Sequence, residues 1–453
     1  MRKAITASAA ILLLAGCARG TGGQVDDDAE YSPDADLSGS LTVMGFSGVD
    51  EVATTRIDRA KEDLDGVDIN IVEGELDIQQ FLSAVASGEP PDLIYADRSQ
   101  VGSLAARGAL IPLESCIDGE QIDLDQYVDS AVEQVNINGS VYGIPEFNSV
   151  QVTMAHAELL EEAGVIIEDV NGSDWEAMAA ASTALLEVMD GDDAIGVDSK
   201  LPEFLPLWAK AGGVDLVSED GRTAQLDAPE VAEALEWAVG LYNDQGGFSA
   251  VKSIRDSADF FGAENQFATD SLGAMPMEQW YINVLNDVSP ETPMAFDTVR
   301  DTSGEPLAYT SGSAWAVAAG AENPEAACRW AKVMTSVDTW KAAAQARLDA
   351  REDEGKPFTG VLTGNADADE QIKGMTTPGG DPWDAAVEAM YEANEHGFAL
   401  PANPADAEFM DATKDAVNKV LDGKAEPKDA LAHAQQVAQE ALDDAWERLD
   451  GDE

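Results

Sequence analysis

The stretch from residue 41 to residue 97 limits the possible folds more than any other part of this chain. "LTVMGF" (41–46) is an apolar run of strand length, "TTRIDRAKEDL" (54–64) has the composition of a helix, and "VDINIVEG" (67–74) alternates as a strand does. In "DIQQFLSAVASG" (77–88), Ile78, Phe81, Leu82 and Val85 share one helical face, and Gly88 closes the helix. "PPDLIYA" (90–96) is a third strand, with its prolines at the start, where a missing N–H costs no ladder bond. Strand, helix, strand, helix, strand is the pattern of a parallel sheet covered on both faces. Ligands of such α/β sheets sit beyond the carboxyl ends of the strands. Here those positions belong to Phe46, Ser47, Asp97 and Arg98.

A second unit starts near "VYGIPEFNSVQVTMAHAELLEEAGV" (141–165), where the strand "VQVTMA" leads into a helix ended by Gly164. "DWEAMAAASTALLEVM" (174–189) reads as a helix capped by Asp174, and Pro229 suits the first turn of "PEVAEALEWAVGLYND" (229–244). The tail is helical. In "EPKDALAHAQQVAQEALDDAWERL" (426–449), Leu431, Ala434, Val437, Ala438, Ala441, Leu442 and Ala445 recur at helical spacing and form a core face. At roughly 150 residues per domain, 453 residues suit two or three domains.

The amino terminus carries an address. Arg2 and Lys3 precede an uncharged, mostly apolar run from Ala4 to Gly16, which is too short to span a bilayer and reads as a targeting segment. Leu14-Ala15-Gly16-Cys17 resembles the lipobox of bacterial lipoproteins. That resemblance implies a signal peptide over 1–16, a diacylglyceryl group on Cys17, and a mature protein held on the outer face of a membrane by two acyl chains. An ordinary secretory signal with an incidental cysteine is the alternative, and either one exports the chain. Residues 17–40, rich in Gly, Ser, Pro and Asp after the anchor, read as a flexible tether. The 87 acidic residues against 26 basic ones give a net charge of -61, a surface that repels nucleic acid. Cys116 and Cys328 are either a disulfide, which the exported compartment permits, or two buried thiols. With three histidines and no close His/Cys/Asp cluster, no metal is expected. Neither a Gly-x-Ser-x-Gly spacing nor a phosphate-binding loop occurs, and no cofactor is expected.

Six segments, in order, resemble the extracellular solute-binding proteins of ABC importers, in particular the carbohydrate-binding branch related to maltodextrin-binding proteins. They are "GEPPDLIYAD" followed by "GALIPLESCI", the Tyr-Gly-Ile-Pro segment at 142–145 with its strand and helix, and "WAKAGGVDLVSEDGRTAQLDAPEVAEALEWAVGLYND". "FATDSLGAMPMEQWYINVL", "TSGSAWAVAAGAENPEAACRWAKVMTSVDTW" and "VNKVLDGKAEPKDALAHAQQVAQEAL" follow. The resemblance implies a two-lobed periplasmic-binding fold with two or three crossings. Lobe one would take residues 41–148 and about 295–345, and lobe two 149–294 and about 346–453. Cys116 and Cys328 then share lobe one, which favours the bridge. "ARLDAREDEGKPFTGVLTGNADADEQI" (346–372) departs from the family's shorter loop and leaves lobe-two contacts there unplaced.

Sugars offer C–H faces for aromatic rings and adjacent hydroxyls for planar polar groups. Of nine tryptophans, Trp280 after the Ala-Met strand is the expected stacking residue, with Glu278 beside it. Trp208 and Trp383, the latter after "TPGGDP" (377–382), are further candidates, while Trp237, Trp330 and Trp340 are assigned to packing. Glu146, Phe147 and Asn148 mark the first crossing, and Gly312 and Ser313 the second. The expected function is that of a non-enzymatic, monomeric receptor that closes on a carbohydrate outside the cell and delivers it to ABC permease subunits. Two alternatives stand: an exported glycoside hydrolase, which needs two carboxyl groups flanking the scissile bond, and a same-fold binder of a cationic solute, which the negative field would tolerate.

Overall fold

The computed structural model describes residues 31, 37–189 and 193–451. The expected signal peptide and the lipidation of Cys17 lie outside them, as does most of the tether. The tether's end is corrected: strand Gly39–Met44 begins within it.

Two sheets organise the chain. In the first, strands run in the order Val67–Val72, Gly39–Met44, Leu93–Asp97, Ser311–Val317, Ile144–Ser149. The first three are parallel, as strands joined through helices must be. Ser311–Val317 runs antiparallel to both of its neighbours. Asp92 sets this arrangement just before its strand, accepting from Thr42 N at 2.8 Å and from Asn323 N at 2.8 Å. One carboxylate thus ties the central strand to the cap of helix Pro324–Thr335. The second sheet runs Met294–Thr298, Gln151–His156, Leu272–Glu278, Ile195–Val197. Gln151–His156 follows Ile144–Ser149 with one residue, Val150, between them, so the chain passes from lobe to lobe almost without a loop.

Two expected boundaries move. Residues 295–298 pair with the second sheet through Met294–Thr298, because the return crossing comes after that strand. Residues 346–354 belong to helix Val337–Glu354, which packs on helix Glu51–Asp63 of the first lobe, and helix Ala366–Lys373 packs beside it. The departing segment is therefore mainly first-lobe structure, and its apolar residues Phe358, Ala368 and Ile372 cluster with Trp340 and Val52. Helix Trp383–Glu395 returns to the second sheet, and the hairpin of Asp406–Leu421 with Pro427–Gly451 packs on Pro229–Asp244.

The first-lobe core holds Leu41, Val43, Leu93, Trp315 and Trp330 together with Cys116 and Cys328, which form a disulfide with Cα atoms 5.8 Å apart. The bridge spans 212 residues, so opening it frees a long loop in the unfolded chain. Replacing both cysteines by alanine is expected to lower the unfolding free energy by about 3 kcal/mol. Urea denaturation checks this, and a loss below about 1 kcal/mol would count against an entropic role for the bridge.

Candidate functional site

A cleft of about 320 Å³ opens between the lobes beside the first crossing. Its first-lobe wall is the turn after strand Gly39–Met44, carrying Phe46, Ser47, Val49 and Asp50, with Phe147 from the first crossing. Its second-lobe wall is Gln279, Trp280 and Asn283, where strand Leu272–Glu278 gives way to helix Trp280–Val288. Val52, Ala53, Arg56, Trp340, Arg347, residues 360–362 and Met390 complete the lining.

The floor is a buried cation between rings. Arg56 is 5% exposed, its guanidinium lies 4.0 Å from the Trp340 ring and 5.5 Å from Phe46, and it pairs with the fully buried Glu146. Burial pulls its pKa down to about 10, which leaves it protonated at neutral pH. Arg347 pairs with Asp50 at 2.8 Å and with Glu51. Each cleft arginine is thus paired, Arg347 with two carboxylates, so no positive charge is left unpaired in the cleft. Polar edges are available as well. Ser47 Oγ accepts from Gly74 N at 2.9 Å, which leaves its proton free to be donated, and Asn283 Oδ1 accepts from Thr359 at 2.6 Å.

Trp280 is half-buried and supported from behind. Phe260 stacks on Tyr281 at 4.2 Å between centroids, and the Tyr281 hydroxyl donates to Phe260 O at 2.9 Å, fixing the loop that carries Phe261. Phe261 lies near-parallel to Trp280, at 17° and 6.1 Å, and is 65% exposed.

The crossings are held by amides and one arginine. Gln279 Oε1 accepts from Val150 N at 2.9 Å while its Nε2 donates to Asn148 O at 3.1 Å, a clamp on the first crossing. Gln151 exchanges two hydrogen bonds with the Tyr309 backbone, at 2.8 and 2.9 Å, joining the first crossing to the second. Arg98 is fully buried and donates to Gln134, Asn148 Oδ1 and the carbonyls of Phe147, Ser311 and Ser313. Asn148 Nδ2 donates onward to Asn394 Oδ1 at 2.7 Å.

Of the residues expected at the site, the cleft brings together Phe46, Ser47, Phe147 and Trp280. Glu146 lies beneath it as the partner of Arg56. Arg98, Asn148, Gly312 and Ser313 are at the crossings instead. Gly312 is required there because a Cβ would meet Phe147 O at 2.0 Å and Arg98 Nη1 at 2.5 Å. Asp97 is exposed beside Arg98, off the cleft wall, and Glu278 is half-buried at its strand end, where burial raises its carboxyl pKa. Two tryptophans are corrected. Trp208 is 1% exposed, with its Nε1 donating to Ser199 O at 2.8 Å, so it is core. Trp383 starts a helix and packs on Phe296 at 5.8 Å rather than presenting its ring to solvent. Trp340, assigned to packing, is buried as expected yet also lines the cleft. Arg56 and Phe261 were not among the residues expected from the sequence. Arg56 has a sequence signal, since it interrupts the stripe Val52, Ala53, Ile57, Ala60 at a buried position of its helix.

Two α/β lobes, a chain that passes repeatedly between them, and an aromatic-walled cleft at the carboxyl edge of a parallel sheet define a two-lobed solute-binding protein. The model of the bacterial extracellular solute-binding protein family matches residues 55–350, and the chain belongs to that family. No curated protein sequence matches it. Among solved structures, the ABC substrate-binding protein Lmo0181 of Listeria monocytogenes, in complex with cycloalternan, is similar at 19% identity and TM-score 0.70, covering 90% of this chain and 99% of that one. The GacH receptor of Streptomyces glaucescens, solved unliganded and with acarbose, gives 18% identity, TM-score 0.69 and coverages of 90% and 100%. A solute-binding protein from Thermotoga lettingae bound with α-D-tagatose gives 20%, 0.69, 89% and 100%. At these identities the likeness is one of fold.

Proposed function

We propose that the chain captures a carbohydrate in the cleft and delivers it to the permease of an ABC importer. It works as a monomer outside the cell, anchored through lipid on Cys17. The observation that carries the reading is Trp280, a half-buried ring that lines the cleft together with Phe46 and Phe147, with the Asn283 amide beside it. Flat apolar faces with planar polar groups at their edges suit sugar rings, and both cleft arginines are paired with carboxylates, which leaves no unpaired cation to select an anion. Neighbours of the same fold that bind cycloalternan, acarbose and tagatose support the sugar class.

Capture needs no covalent step. The lobes close on the solute about the amide-clamped crossings, and ligand binding favours the closed arrangement by its contacts with both walls. A hydrolase would need two working carboxyl groups flanking the bond. Asp50, the carboxylate among the lining residues, is engaged by Ala53 N as a helix cap and by Arg347.

A thermal-shift panel of mono- and oligosaccharides tests the reading, since a ligand of the folded state raises the melting temperature. At least one sugar is expected to stabilise the protein, and Trp280→Ala to weaken it about thirtyfold, the loss of one stacking face. A flat response to sugars with a shift for a cationic solute would overturn the sugar class. Turnover of an oligosaccharide in a reducing-sugar assay would overturn the receptor.

A further inference from the structure

The carboxyl edge of the first sheet is open at one end and filled at the other. Strands Gly39–Met44 and Leu93–Asp97 are neighbours, pairing Val43 with Leu93. Beyond the first of them lies the 320 Å³ cleft. Beyond the second, Arg98 and Ser99 line a pocket with Asn403, Asp406 and Met410 that leaves only about 20 Å³ against the 320 Å³ of the cleft.

That filled end is built tightly. Asp406 accepts from Gly102 N at 3.0 Å, Ser103 N at 3.2 Å and Ser103 Oγ at 2.6 Å. Gly102 is what permits the approach, because a Cβ there would lie 2.1 Å from Asn403 O. A solute in the cleft therefore has no room to continue along the sheet edge toward Arg98.

The open end is apolar and exposed on both lips. Val49, 85% exposed, belongs to the first-lobe wall, and Phe261, 65% exposed, lies near-parallel to the Trp280 ring of the second. An offset, near-parallel pair of rings with one member facing solvent extends the stacking surface of the cleft beyond its mouth. Phe261 is not needed for the core.

We propose that the cleft binds a linear oligosaccharide end-on, with its terminal ring against Trp280 and the next ring leaving past Val49 over Phe261. This rests on the carbohydrate reading and adds to it the direction of the chain and a residue that selects for length. Cyclic oligosaccharides, having no terminus, fit such a site poorly.

The test is calorimetric titration of the wild type and Phe261→Ala with glucose and mannose and their linear two- to four-unit oligomers, and with cyclomaltohexaose. For the sugar series that binds, Phe261→Ala is expected to weaken tri- and tetrasaccharides about tenfold and the monosaccharide less than twofold. Cyclomaltohexaose is expected to bind at least tenfold more weakly than the linear tetramer. Equal loss at every length, no loss at any length, or a cyclic sugar bound as tightly as the linear one would overturn end-on binding while leaving the carbohydrate reading intact. No binding of any sugar by the wild type would overturn both.

Discussion

Glu146→Ala is expected to destabilise the protein by about 4 kcal/mol, the cost of leaving a buried cation without its partner. Arg56 cannot escape to water, since it is 5% exposed and Trp340 and Phe46 lie over its guanidinium. Glu146 is fully buried, and its Oε2 has no hydrogen-bond donor among the described residues. The pair is thus imperfectly satisfied even when intact, and mutual attraction offsets only part of the desolvation of two charges. It follows that Glu146→Ala and Arg56→Ala are each strongly destabilising, whereas the double variant Arg56→Met with Glu146→Met recovers most of the loss. Glu146→Gln, which keeps an acceptor for Arg56 but no charge, should fall between. Urea unfolding of the four proteins measures this. A Glu146→Ala loss below about 1 kcal/mol, or a double variant no better than the worse single one, would show that the pair is not the buried unit described.

The ion pair also shows what sequence reading reaches and where it stops. Periodicity found the parallel strands and their helices, and local chemistry found caps such as Asp174, whose carboxylate accepts from Glu176 N and Ala177 N. These signals lie within a few residues of one another. Trp280 was legible through the family resemblance, as the tryptophan after the Ala-Met strand, and it stands where that strand gives way to a helix. Arg98 stands just beyond the carboxyl end of its strand, and that position suggested a ligand-facing group. Its partners, however, come from residues 134, 147, 148, 311 and 313, separations that carry no sequence pattern. Trp208 shows the reverse problem. Leu205 and Leu207 flank it in a helix buried nearly all round, and periodicity has no exposed face to contrast with the core there. Phe261 does carry a signal. A double phenylalanine in the polar stretch "SADFFGAEN" (257–265) buries one ring, Phe260, on Tyr281 and leaves the other outside.

Arg98→Ala is expected to cost about 4 kcal/mol, and to do so at the crossings rather than in either lobe. The guanidinium presents five N–H donors in a rigid fork, and the protein surrounds it with Gln134 Oε1 at 2.9 Å, Asn148 Oδ1 at 2.7 Å and Ser311 O at 2.7 Å, besides the carbonyls of Phe147 and Ser313. No carboxylate is among these acceptors, so its charge is stabilised by dipoles, and burial lowers its pKa to about 9. Removing the fork leaves several buried acceptors unpaired at once, each a penalty of about 1 to 3 kcal/mol that local relaxation reduces. Arg98→Lys keeps the charge as a point donor that reaches fewer of those oxygens, so about half the loss is expected. Gly312→Ala attacks the same knot sterically, by pushing a methyl group onto Phe147 O and Arg98 Nη1. Strands Ile144–Ser149 and Ser311–Val317 also pair directly, and Gln151 ties the crossings again at Tyr309, so loss of Arg98 loosens the crossings without separating them. The fingerprint is therefore a fall in unfolding free energy together with faster amide hydrogen exchange concentrated around residues 147–151 and 309–313. An Arg98→Ala protein that unfolds normally and exchanges no faster there would remove Arg98 from the hinge.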